Sequence, residues 1–314
     1  MTTRLPLSWS FQFSDHGIEP TVDPESIWLP SSRRRWVHSA LVRAEGLDEL
    51  NLKEILLELA ENRTHPVLRG CGPEHRALMA REGWHSRQTG IEATLILDGP
   101  APWYPSRSLR ELERRARNKG RIETLYPVND KEWSWLGSHL KELRLRSHYS
   151  HRPSLDHLFL SEPSGWDQCL LFWRNHSLKA VVGWSRNGPR SRHLEVLMRS
   201  RDAPVGTMEA LILESIRMAR AEGVSNVSLG EVPFLHFRDA AHHRNPARYA
   251  SYFFMRPAFS SMGLFRFKEK FRPNWTPLYL LGDKRIHSIV LFDLFWQSGC
   301  HRLLGYCLTH RSNR

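Results

Sequence analysis

The stretch GLFRFKEKFRPNW, residues 263–275, alternates aromatic and cationic side chains. Read as a strand, it would put Arg266, Lys268, Lys270 and Arg272 on one face, a natural patch for nucleic acid. Read as a helix at about 100° per residue, it gathers Leu264, Phe267 and Phe271 into one apolar sector, with Lys268 inside it and Arg266 and Lys270 facing out. Gly263 at the start and Pro273 at the stop favour the helix. A lysine among buried aromatics needs an anionic partner, and a substrate phosphate is the partner this pattern points to. A second cationic cluster lies in PSRSLRELERRARNKGR, residues 105–121. Arg107, Arg110, Arg114, Arg117 and Arg121 recur every three or four residues and form one stripe on a helix, with Glu111 and Glu113 off it. Such a stripe is either a solvated face or a surface turned towards phosphates.

These residues belong to a chain of 314 residues with 40% hydrophobic content, enough for one large core or two medium ones. Lys and Arg number 45 against 33 Asp and Glu, a formal charge of +12, and most of the cations are Arg. A planar guanidinium binds two oxygens at once, so RNA, anionic lipid or phosphorylated substrates are the partners implied. Cys71, Cys169, Cys300 and Cys307 show no zinc spacing and read as reduced thiols of a cytoplasmic protein. MTTRLPLSWSFQF lacks the apolar core of a signal peptide, and no segment reaches the roughly 20 apolar residues that span a bilayer. IHSIVLFDLFW, residues 286–296, is short, carries Asp293, and fits a buried or interfacial helix.

The elements that must position these groups follow from periodicity. Residues 1–32 are rich in Pro and Ser and read as an irregular N-terminal arm. LNLKEILLELA is an amphipathic helix, HPVLRGCG a short strand, PEHRALMAREG a second helix and GIEATLIL a strand. Residues 33–125 therefore form a first α/β unit and residues 126–314 a second. The second repeats the outline with a helix near 131–146, strands QCLLFWRN, LKAVVGWSRN and HLEVLMRSR, a helix from Thr207 to Glu222, and the strand VSNVSLGEV. Thr207 is the expected cap of that helix and Gly223 its left-handed stop. Met208, Leu211, Ile212, Ser215 and Ala219 make its buried stripe. Strands, helix, strand is the core order of a GNAT transferase, so the expected fold is α/β (α+β), with tandem GNAT-like acyltransferase subdomains.

VLMR (Val196 to Arg199), APVGTME (Ala203 to Glu209), LGEVP (Leu229 to Pro233) and RFKEKFRPNW (Arg266 to Trp275), in that order, resemble the C-terminal catalytic domain of lysylphosphatidylglycerol synthases. TGIEATLIL and RRARNKG are similar to earlier pieces of it, and the resemblance runs from about residue 40 to 285. It implies an aminoacyl-tRNA-dependent aminoacyltransferase with phosphatidylglycerol as acceptor, needing no metal or cofactor beyond its co-substrate. Two positions depart. Val196 stands where the family has Asp, and Glu195 beside it can substitute only if the strand bulges. Glu209 stands where the family has a second Asp. The multi-helix membrane domain usual in the family is not in this sequence, so lipid would be met through surface contacts, at the inner face of the membrane. RSRDAPVGTM also has one glycine and a proline where an acetyl-CoA-binding turn would offer several N–H donors, which disfavours CoA.

Aminoacyl transfer needs alignment, help with a proton and a stabilised oxyanion. Arg199 is the expected holder of phosphate or developing charge. Glu209 would recognise the donor's α-ammonium or a cationic side chain, Glu231 would do the same or act as a base, and Glu195 is a further substrate-binding candidate. Lys268, counted with Arg199 and Glu209 among the catalytic candidates, and Lys270 would bind lipid phosphate or the tRNA 3′ end, and Arg266, Arg110, Arg114 and Arg117 are further substrate-binding candidates facing phosphate. His242 and His243 are weaker candidates as bases. A soluble transferase acting on a small metabolite or peptidoglycan precursor is the alternative within the class. A non-catalytic RNA- or membrane-binding module is the alternative outside it.

Overall fold

The computed structural model describes residues 4–12, 21–43, 47–62, 65–126, 130–155, 157–158, 166–233, 235 and 260–310. The first half runs β1 (Ser10–Gln12), β2 (Thr21–Leu29), β3 (Arg34–Arg43), α1 (Glu49–Glu61), β4 (Pro66–Cys71), α2 (Pro73–Ala80), β5 (His85–Ile96), α3 (Arg107–Arg117) and β6 (Arg121–Leu125). The second runs α4 (Asp130–Arg146), β7 (Gln168–Arg174), β8 (Ser177–Arg186), β9 (Ser191–Arg199), α5 (Thr207–Ala221), β10 (Asn226–Pro233), α6 (Ser261–Glu269), β11 (Asn274–Gly282), α7 (Ser288–Gln297) and α8 (Cys300–Thr309).

All these strands join one mixed sheet in the order β1, β3, β4, β11, β5, β10, β9, β8, β7, β6, with β2 paired to β3. This is the expected α/β class. The expected boundary between residues 125 and 126 is crossed twice, however. β6 pairs antiparallel with β7 of the second half, and β11 from the C-terminal part lies between β4 and β5 of the first. Pro277 is tolerated in so central a strand because it lies opposite Ile91 of β5, while pairing to β4 begins only at Tyr279. The N-terminal arm is also not irregular: β2 pairs along β3 from Thr21 to Leu29. Its Pro24 and its charged residues mask the alternation, and an edge strand accepts both.

Period-two alternation builds the second half's two faces. Leu170, Phe172, Ala180 and Val182 pack under α5 and α3, against Leu211, Ile212, Ile216, Leu109 and Ala116. Cys169, Leu171 and Val181 point the other way, against Leu136, Leu140 and Leu143 of α4. In the first half, Leu5, Trp9 and Phe11 pack with Leu52, Leu56, Leu68 and Met79.

α5 starts differently from the expectation. Its N-cap is Gly206, in the left-handed region at φ 89°, and the Thr207 hydroxyl instead donates to the Pro204 carbonyl at 2.7 Å. A Cβ on Gly206 would lie 2.1 Å from the Leu112 carbonyl of α3, so the glycine is what lets the two helices touch. Gly223, the stop at φ 74°, has open space around its missing Cβ. Gly223→Ala should therefore cost about 1 kcal/mol, from the backbone alone. Gly206→Ala should cost more than twice that, and urea unfolding of the two variants measures the difference; equal losses would mean that α3 does not need this close approach.

Candidate active site in a split between parallel strands

β9 and β10 run parallel but pair only at Ser191–Asn226, Arg192–Val227 and His193–Ser228. Beyond that point both ladders are interrupted. On β9, Leu194 pairs with Trp184 and Val196 with Gly183, so Glu195 is the extra residue of a β-bulge. The bulge reverses the alternation: Leu194 and Leu197 face the core under α5, whereas Val196 and Met198 face the core under α4. On β10 the register against β5 jumps from Ser228–Thr94 to Glu231–Glu92, around Gly230 at φ 86°. The strands diverge, and a set of polar groups fills the opening.

Lys268 reaches into it from the last turn of α6. The helix is the one expected, capped by Ser260, whose hydroxyl accepts from Gly263 N at 3.2 Å. Lys268 is only 3% exposed, and its Nζ donates to the Glu231 carbonyl at 2.9 Å. In place of the expected phosphate, a backbone carbonyl satisfies the enclosed amine in this conformation. Burial pushes the Lys268 ammonium down to about 7, against the opposing attraction of Glu231 and Glu92.

His193 lies beside it, its Cε1 and Lys268 Nζ each 3.4 Å from where a Cβ on Gly230 would stand. Ser228 hydrogen-bonds to the Glu92 carboxylate, and its Oγ accepts from Gly230 N at 3.0 Å. The remaining contact, His193 Nδ1 to Ser228 Oγ at 3.2 Å, assigns the ring proton to Nδ1 and the lone pair to Nε2. Burial drives His193 down to about 3 against the attraction of Glu92, with Lys268, Arg4 and Arg69 adding to the fall. His193 is therefore neutral and a poor base at neutral pH, while Lys268 is poised to exchange a proton there.

Ion pairs close the rest of the opening. Burial disfavours the Glu92 carboxylate, but the neighbouring Arg4, Ser228 and His193 outweigh it and hold Glu92 below the usual carboxylate range. Arg4 is bonded to Glu92 directly. Arg69 binds Glu231 and also donates to the Leu158 carbonyl. Glu195 accepts from the Ser185 hydroxyl, and its Oε2 lies 3.9 Å from His193 Nε2.

The other expected site residues divide. Glu209, buried in the first turn of α5, pairs with Lys270 at 2.9 Å, and the Lys270 amine lies 5.4 Å from the centre of the Phe267 ring. Arg199 is exposed at the end of β9 and forms no ion pair with Glu195 or Glu209. Arg266 is exposed on α6. The basic stripe is largely neutralised. Arg114 and Arg115 both bind Glu111 and hold it down to about 2. Arg117 binds Glu113 and Glu214. Arg107 and Arg110 are exposed and make no ion pair among the described residues. The glutamates expected off the stripe are within reach because residues three and four apart meet on a helix surface. His242 and His243 lie outside the described residues. Sequence reading missed Arg4, Arg69, Glu92, His193 and Ser185. A carboxylate inside the apolar run IEATLIL was the one available signal, since a buried charge requires a partner.

Residues 133–282 match the family described as phosphatidylglycerol lysyltransferase, C-terminal. This segment is similar to that family. It contains all four motifs singled out in the sequence, and LGEVP and RFKEKFRPNW meet in the split through Gly230, Glu231 and Lys268. The phosphatidylglycerol lysyltransferase of Bacillus subtilis (strain 168) is 30% identical over 138 residues, which are 42% of this chain but only 16% of that protein. The structure of L-PGS from Bacillus licheniformis superposes with a TM-score of 0.61 at 18% identity, covering 91% of this chain and 86% of that one. The C-terminal domain of an Agrobacterium fabrum protein superposes equally well, at 0.61 and 17% identity, covering 88% and 90%. The fold shared with these two structures thus extends over both halves of the sheet. Arg4, Arg69 and Glu92 reach the split from outside the segment that matches the family.

The bulge makes the Val196 departure testable. Val196→Asp would turn a carboxylate towards the apolar side chains under α4, not towards Lys268. It should destabilise the fold by about 1–3 kcal/mol and leave any activity no higher. A variant that is both stable and more active would show that residue 196, rather than Glu195, faces the split.

Proposed function

We propose that this chain transfers an aminoacyl group from aminoacyl-tRNA to a glycerol hydroxyl of phosphatidylglycerol, as a peripheral protein at the inner membrane face. The family match over residues 133–282 supports the reaction class. The observation that carries the site is Lys268, an enclosed amine with a pKa near 7 at the point where β9 and β10 part. In this reading the acceptor oxygen attacks the aminoacyl ester carbon and its proton passes to Lys268 Nζ. The tetrahedral oxyanion collapses, the ester bond to the tRNA 3′ ribose breaks, and that oxygen takes the proton back from the lysine. A ribose oxygen is a far better leaving group than an amine, so a base near neutrality suffices. Arg199, Arg266 and Arg110, exposed and near the surface, supply phosphate contacts for the two large substrates, and Glu209 with Lys270 orders the start of α5.

The test is transfer of label from aminoacyl-tRNAs to phosphatidylglycerol in an RNase-sensitive reaction. Label in a small water-soluble amine would favour the metabolite reading, and tRNA binding with no transfer at all would favour the binding module. With the lysine neutral as base, kcat/KM should rise with pH through about 7 and then level. Lys268→Met should lower transfer by about 10²-fold or more. A flat pH profile, or an active Lys268→Met enzyme, would remove Lys268 from the chemistry.

The same variant should be more stable than the parent. Unfolded lysine keeps its proton up to about 10.5, whereas the folded chain releases it near 7. Folding is therefore penalised at neutral pH. The penalty is full below about pH 7 and vanishes as the pH rises past about 10.5. Lys268→Met removes it, and thermal unfolding at pH 7 should show a gain of about 2 kcal/mol or more, shrinking at high pH; a loss of stability would mean that the amine is held charged by the fold.

A further inference from the structure

α7 carries three large apolar side chains on its outer face: Ile289 is 46%, Phe292 55% and Trp296 52% exposed. At 100° per residue they fall within about 60° of one another, one ridge along the helix. The rotation that exposes them is fixed from inside. Val290, Leu291 and Leu294 pack against Ile27, Leu29, Trp36 and Val67. Asp293, only 2% exposed, accepts from the Ser32 backbone and hydroxyl, both at 2.7 Å. Trp296 is further held by His301 of α8, stacked on it at 4.1 Å between ring centroids and 3° between planes.

The segment that carries the ridge is itself cationic, while Asp283 just before it pairs with His65 and Asp23 and Glu25 are exposed on β2. Between residues 284 and 310 the cations are Lys284, Arg285 and Arg302, all exposed, with His287 and His310 exposed as well. The only carboxylate in that span is Asp293, which is buried. A protein partner would have to offer an apolar groove rimmed by acids. An anionic bilayer offers the same chemistry without a matching shape: apolar depth beneath a layer of phosphates. At ten residues, α7 is about 15 Å long, too short to cross a bilayer but suited to lie in its surface.

We propose that the outer face of α7 is a membrane-docking surface, with Ile289, Phe292 and Trp296 entering the headgroup boundary and Lys284, Arg285 and Arg302 contacting anionic phosphates. The choice of phosphatidylglycerol as the anionic lipid rests on the proposed function; the docking itself does not. The double variant Phe292→Ser, Trp296→Ser changes only exposed side chains and should fold normally, as circular dichroism and thermal unfolding would verify. The parent chain should sediment with vesicles of phosphatidylcholine and phosphatidylglycerol in equal parts, weakly with phosphatidylcholine alone, and less at high salt. The double variant should bind about tenfold more weakly, and Arg285→Glu about fivefold. Parent that ignores anionic vesicles, or a double variant that binds like the parent, overturns the proposal. So does a parent dimer that the double variant dissolves, because the ridge would then meet a second copy. Short-chain phosphatidylglycerol, dispersed as monomers, separates the two readings. If docking is right, the double variant loses transfer on vesicles yet keeps it on the monomeric lipid. Parent that binds vesicles but transfers to neither form would sink the transferase reading and leave the docking surface standing.

Discussion

The site depends on the failure of two neighbouring ladders at one level of the sheet. Parallel strands normally stay bonded along their length, because every unpaired N–H and C=O inside a protein costs free energy. β9 and β10 part after His193 and Ser228 because each carries an irregularity there: the Glu195 bulge on one side and left-handed Gly230 on the other. The groups this frees are taken up locally. Gly230 N donates to the Ser228 hydroxyl, and the Glu231 carbonyl receives Lys268. The opening is therefore built into the backbone, and α6 is held against it by the lysine that would do its chemistry.

How far this was legible in the sequence depends on the range of the interactions. Helices α1, α2, α5 and α6 were readable because their determinants are local: apolar spacing, Pro73 at a start and Gly223 at a stop. Lys268 could be singled out because the wheel puts it among aromatics. Its partner could not, since a backbone carbonyl leaves no mark on the residue type. β2 was hidden because an edge strand tolerates the very residues, Pro24 and the acids beside it, that read as irregular chain. The exchange of β6 and β11 between the two expected units was hidden for a related reason. Strand exchange between halves is settled by which edge is open, and no pattern within either strand records it. The Glu195 bulge was legible only as a condition: a carboxylate one position out of place can face the site if one extra residue is inserted, and the structure inserts it.

The polar groups around the split are costly in themselves. A carboxylate such as Glu92, buried in a central strand, is tolerable only with a cation at hand. Arg4 supplies it from 88 residues away and ties the N-terminal segment across the sheet. Arg69 does the same for Glu231 from β4. Such pairs contribute little net stability compared with apolar replacements, but they fix geometry, because removing either member strands the other.

They also set the state of Lys268. Glu92 and Glu231 are the two groups that would hold the amine charged. With nothing else near, two buried carboxylates at that range would keep a lysine protonated well above neutrality. Here burial outweighs the attraction of Glu231 and Glu92, and the amine falls to about 7. Arg4 and Arg69 pair with those same two carboxylates. Both come from outside the segment matching the family, residues 133–282. The first half supplies β4 and β5 to the sheet, and it delivers the two arginines that pair with Glu92 and Glu231 beside the buried lysine.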